Sequence, residues 1–194
     1  FKAGAVSDEQ AEALGLVEYP KFSGLESDAV LVSPHLKISA SYEWERDIRL
    51  FNAFHGLNNQ IHVFVILFNA TSGLQAALSQ REYWRGGNKN EFTICLGLDD
   101  AQNVKWCKAF SWCDLPQMET ALESWYLEHH HLDFKGLANW LEANVSTLWK
   151  RKEFKDFKYL GKKLTPWKSA LVGFLTLAAC ALFIYIAYYL TTTQ

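Results

Sequence analysis

The chain has 194 residues, a formal net charge of −2 and 21% charged residues. That length allows one domain of ordinary size with peripheral segments. Nucleic acid is not expected as a partner, because the one basic run is confined to residues 150–168 and the rest of the chain is acidic.

In chain order, residues 1–37 read as an extended and helical N-terminal segment. Ser7 is placed to cap a short helix reaching Leu16, with Gln10 bonding back to it. From Tyr19-Pro20 to Ser33-Pro34 the Gly, Ser and Pro punctuation predicts extended or loop structure. Residues 38–149 read as a soluble α+β domain. Between Ile38 and Leu57, the residues Trp44, Ile48, Leu50, Phe51, Phe54 and Leu57 recur at helical spacings, and Gly56 with Asn58-Asn59 ends the helix. Ile61–Phe68 is a continuous apolar run rich in branched and aromatic residues, the pattern of a strand buried on both faces. Ser72–Arg85 predicts a helix with Ser72 and Gln75 as a capping pair and Gly86-Gly87 as its stop.

Two alternating stretches follow, Glu91–Asp99 and Val104–Trp112, joined by a polar turn. They predict a hairpin, with Phe92, Ile94, Leu96 and Leu98 on one face of the first strand. Val104, Trp106, Phe110 and Trp112 share a face of the second, interrupted by Lys108. Asp114 is expected to cap a further helix with Pro116 in its first turn and Met118, Leu122 and Trp125 as its buried stripe. A last helix in this domain carries Phe134, Leu137, Leu141, Val145 and Leu148. Strand, crossover helix and strand favour parallel pairing, and the hairpin adds an antiparallel one, so the expected class is α+β with a small mixed sheet flanked by helices.

Residues 150–166 form a basic juxtamembrane segment, 167–190 a transmembrane helix and 191–194 a short tail. The run from Trp167 to Leu190 carries only Lys168 as a charge and is about 36 Å long as a helix, against a hydrocarbon core of about 30 Å. Lys150, Arg151, Lys152, Lys162, Lys163 and Lys168 precede or begin it, and no charge follows it. The positive-inside rule then puts the soluble part in the cytoplasm of a single-pass membrane protein. The expected site is a bacterial inner membrane, with an organellar inner membrane as the alternative. Trp167 marks one interface; Tyr185, Tyr188 and Tyr189 mark the other. Ser169, Gly173, Thr176, Cys180 and Ala187 fall on one side of this helix, a small-residue seam suited to a second helix in lipid.

The apolar strand Ile61–Phe68, the turn Gly86-Gly87-Asn88-Lys89-Asn90 and the hairpin from Phe92 to Phe110 occur in an order that resembles the TPM domain, over about residues 31–149. The resemblance implies a small αβα sandwich beside a spanning helix. It further implies a role in repair or assembly of membrane complexes, or a phosphatase-like or calcium-binding activity. Many TPM domains lie outside the cytoplasm, whereas the basic run here points inside. The acidic residues a metal site needs reduce to Asp99 and Asp100 in the hairpin turn.

Other residues invite chemical readings. His129-His130-His131 are consecutive, so on a helix they diverge by about 100° per residue and do not converge on one ion. Gly86-Gly87-Asn88-Lys89-Asn90 follows a helix instead of opening one and reads as a turn needing positive φ. Cys95, Cys107, Cys113 and Cys180 form no CxxC pair, and none has a legible base partner. Tryptophan is abundant, eight in all, enough to expect some of them on a docking surface. No convergent acid–base pair or nucleophile emerges. The expected function is an accessory protein that docks on, assembles or stabilises a larger membrane complex, or forms a homo-oligomer, without a cofactor. The competing reading is a membrane-anchored, metal-dependent phosphohydrolase with a divalent cation at Asp99 and Asp100.

Overall fold

The centre of the chain, in its computed structural model, is β2 (His62–Asn69), whose six inner residues Val63–Phe68 are all fully buried. Such a strand needs apolar cover on both faces, and the surrounding elements supply it. β2 pairs in parallel with β1 (Val30–Val32) and with β3 (Glu91–Leu98), and β3 pairs antiparallel with β4 (Val104–Ser111). The sheet order is β1-β2-β3-β4, the small mixed sheet expected. The structure describes residues 6–20, 28–39, 41–113, 115–153, 155 and 166–192. The chain forms two compact units, Phe1–Lys152, which holds the sheet, and Glu153–Gln194.

Within the first unit, alternation divides the core in two. Val63, Val65, Leu67, Phe92, Ile94, Leu96 and Leu98 face α2 (Tyr42–Asn59), α4 (Pro116–Glu128) and α5 (Phe134–Leu148). Phe64, Ile66, Phe68, Cys95 and Phe110 face α1 (Asp8–Leu14) and α3 (Gly73–Tyr83). The crossover helix from β1 to β2 therefore lies on one face and that from β2 to β3 on the other. Because the three strands are parallel and stand in sequence order, the two crossovers have opposite hand, against a strong general preference for right-handed ones.

Local chemistry explains most of the boundaries. Ser7 and Gln10 form the expected reciprocal cap of α1, and Gly15 closes it at φ 63°. Ser41 caps α2 and Asp133 caps α5 through its bond from the Gly136 N–H at 2.9 Å. The Ser72–Gln75 capping pair is not made. Asn69 instead accepts from the Thr71 N–H at 2.9 Å and opens a 3-10 turn, Ala70–Ser72, that leads into α3. The expected cap Asp114 lies outside the described residues, and Pro116 starts α4. Val104 and Trp106 do not share a face. A bulge between Gly97 and Leu98 pairs Leu98 with Val104 but Gly97 with Trp106, which sends Val104 to one core and Trp106 to the other.

The second unit contains α6 (Pro166–Thr192), a single helix of 27 residues. Here the expectation of a transmembrane helix at 167–190 is corrected. Among the described residues no helix is long and apolar enough to cross a membrane. The side chains of Ser169, Val172, Ile186, Ala187, Tyr189 and Leu190 lie outside the described residues. The membrane and single-pass assignments rested on that span and are withdrawn with it. The fold is α+β, a small mixed sheet between helical layers, together with α6.

Candidate functional site

The most exposed apolar surface of the first unit lies on α2. Its inner face gives Ile48 and Phe51 to the core. Its outer face leaves Leu50, Phe54 and Leu57 exposed by 47%, 70% and 86%, at spacings of four and three that align them in one stripe. α5 runs beside α2 in the same direction: Trp44 stacks on Phe134 at 5.3 Å, and Trp149 Nε1 donates to the Asn59 carbonyl at 2.9 Å. The two helices leave a groove lined by Leu50, Phe51, Phe54 and Ala138 in its middle, with Asp47 and Lys135 at one end and His55 and Glu142 at the other. His55 Nε2 lies 3.8 Å from the Glu142 carboxylate. The groove thus has an apolar middle and charged ends.

The residues singled out in the sequence are dispersed. Asp99 organises its own turn. Its carboxylate accepts from the Ala101 and Asn103 N–H groups at 3.0 and 2.8 Å and from Asn103 Nδ2 at 3.2 Å, and Lys105 Nζ lies 3.0 Å away. Those backbone bonds, with Lys105, pull its pKa down to about 2. Asp100 is exposed beside it. Among the described residues no group of three or more His, Cys, Asp and Glu side chains is placed to hold a metal ion. His129 stacks on Trp125 at 4.6 Å with its Nδ1 2.9 Å from the Trp125 carbonyl, while His131 bridges to Asn103. Burial pushes the Cys95 and Cys107 thiols well above their ordinary range, the opposite of nucleophile activation.

Of the proposed membrane-facing and seam residues, Gly173, Thr176 and Cys180 are exposed on α6, as are Trp167, Lys168, Tyr185 and Tyr188. The side chains of Ser169, Ala187 and Tyr189 lie outside the described residues, as do Lys162 and Lys163 altogether. Lys150 is exposed, Arg151 and Lys152 are partly buried, and the Lys152 N–H lies 3.4 Å from Cys113 Sγ. These basic residues belong to the first unit, which ends at Lys152.

The reading along the chain missed a buried polar cluster at the start of β2 and β3. Glu91 is buried, paired in register with His62. Its carboxylate accepts from the Asn88 N–H at 2.7 Å, from Asn88 Nδ2 at 2.8 Å and from the Tyr19 hydroxyl. Asn88 Nδ2 also donates to Tyr19 Oη at 2.6 Å. Burial and the neighbouring carboxylate push the Tyr19 phenol well above its ordinary range. Burial likewise lowers His62, against the pull of Glu91. The cluster fits beneath the Gly86-Gly87 turn. Gly87 adopts φ 76°, and a Cβ there would come within 2.8 Å of Glu91 Oε2. With three donors on one carboxylate, the cluster serves as a latch between the N-terminal segment and the sheet. Tyr19 and Glu91 lie 72 residues apart, so no spacing signal announces it.

The chain matches no known protein-family model, and neither curated proteins nor solved structures include a match to it.

Proposed function

We propose that the chain is an accessory interaction protein whose first unit docks protein partners through the exposed face of α2 and so helps to assemble or stabilise a larger complex. The observation that carries this reading is the contiguous stripe of Leu50, Phe54 and Leu57 beside the α2–α5 groove. Scattered surface leucines are ordinary; three large apolar side chains aligned on one helix mark an interaction site. A shorter pair, Leu74 and Leu78 on α3, is exposed by 50% and 44%. The TPM-like order of elements supports the same reading, since some members of that family assist complex assembly.

The test is in-cell cross-linking of the wild-type chain and of Phe54→Glu. Wild type is expected in a species of higher mass than the single chain. Phe54→Glu should lose that species while melting within about 4 °C of wild type, because the position is exposed. Retention of the same species by Phe54→Glu would overturn the reading.

A further inference from the structure

Resting on that reading, we infer that the occupant of the α2 face is a second copy of this chain, its α2 packed antiparallel on the first about a twofold axis. The exposed positions of α2 include Arg46, Leu50, Ala53 and Leu57, with Phe54 alongside. Their spacing of four, three and four is the seam of a packed helix pair. A twofold axis passing between Ala53 and Phe54 sets Leu50 against Leu57 of the second copy and Ala53 against Phe54 of the second copy. Large residues then meet small or complementary ones at every step, which is the self-complementarity that an isologous interface requires. Ala53 allows the close approach that a second large side chain would prevent.

Charge agrees with this register. The seam ends at Arg46, whose guanidinium lies 3.1 Å from its own Asp47, so no unpaired cation enters the apolar strip. At the other end stand the uncharged Asn58 and Asn59. Area agrees as well. The exposed fractions of Leu50, Phe54 and Leu57 amount to roughly 400 Å² per copy, hence roughly 800 Å² in the pair, the size of a small interface and of a dimer that forms only with rising concentration.

The experiment is light-scattering mass measurement on the purified full chain over ~1–100 µM, with two kinds of variant. Wild type is expected to pass from monomer to dimer across this range. Phe54→Glu should weaken the dimer at least ~30-fold, the effect of losing one central anchor. For the register, Leu50→Cys and Leu57→Cys chains, each with Cys180→Ser, are mixed and mildly oxidised. The cross-link between unlike chains should exceed that between like chains. A monomer at all concentrations, a dimer indifferent to Phe54→Glu, or preferential Leu50→Cys self-linking would each overturn the inference. A purified monomer whose Phe54-dependent complex persists in cells would overturn self-pairing alone and leave the docking role in place.

Discussion

Tryptophan in this chain serves mainly to fix connections. The indole N–H of Trp84 donates to the Val17 carbonyl at 2.7 Å, that of Trp106 to Ala70 at 3.1 Å, that of Trp112 to Arg85 at 2.9 Å and that of Trp149 to Asn59 at 2.9 Å. The rings of Trp84, Trp106 and Trp149 pack on the two cores while that of Trp112 is exposed, and in all four the one donor satisfies a backbone carbonyl. Composition announces the abundance of tryptophan but not this use of it, because the acceptors lie up to 90 residues away. His62 makes a pH-dependent contribution from the same kind of burial. Its folded pKa is lowered, so the unfolded chain, titrating near the ordinary ~6.5, binds the proton first as pH falls. Stability is therefore undiminished by His62 above about pH 6.5 and declines below it, through the lower folded value. In urea titrations at pH 7.5 and 5.5, His62→Gln should show a smaller drop in midpoint than wild type. Parallel drops in the two proteins would show that burial of this imidazole is not the cause.

At the scale of elements, polar side chains complete hydrogen-bond ladders that are too short. β1 covers β2 only from Val65 to Leu67, which leaves the backbone of Val63 without a strand partner on that side. Asn52 on α2 takes the strand's place: its Nδ2 donates to the Val63 carbonyl at 2.9 Å and its Oδ1 accepts from the Val63 N–H at 2.7 Å. Gln80 on α3 does the same for Val17, at 2.8 and 2.9 Å, and so fastens the N-terminal segment to the sheet's other layer. Glu45 accepts from the Ala29 and Val30 N–H groups at 2.6 and 2.9 Å and anchors the start of β1. Asn52→Leu keeps the volume but strands a buried donor and acceptor, a loss of about 3 kcal/mol. The denaturant midpoint should fall with an unchanged slope. A midpoint within about 0.5 kcal/mol of wild type would mean that water, not Asn52, satisfies Val63. The caps at Ser7 and the stop at Gly86-Gly87 were legible beforehand because donor and acceptor lie a few residues apart. The Asn52 and Gln80 pairings, and the bulge at Gly97, were not, since each depends on which strand happens to be adjacent.

The whole first unit is held by one sheet serving two cores, with β2 common to both. Phe64 is fully buried on the α1–α3 side, with Tyr19 and Trp84 edge-on at 6.3 and 5.8 Å. Phe64→Asp would bury a charge there at several kcal/mol, comparable with the stability of a whole domain. The far-ultraviolet melting transition of the chain should lose its cooperativity; a wild-type transition would displace β2 from the centre. What could be read from the chain alone was the local and periodic part: the apolar strand Ile61–Phe68, the alternating hairpin, the helices with the Ser7 cap, and hence an α+β class with a mixed sheet. Those features arise from spacings of two to four residues, where burial and neighbouring hydrogen bonds decide the outcome. Tertiary structure alone decided that the short β1 joins the sheet, that the two crossovers take opposite hands, and that Tyr19, Asn88 and Glu91 meet. It also decided which part of the apolar periodicity of α2 stays outside. Leu50, Phe54 and Leu57 have the same spacing and hydrophobicity as Ile48 and Phe51, and only the packing of α2 on the sheet separates core from surface. The expected span at 167–190 was likewise an inference from apolar length; α6 forms as a helix over Pro166–Thr192, and among the described residues no helix is long and apolar enough to cross a membrane.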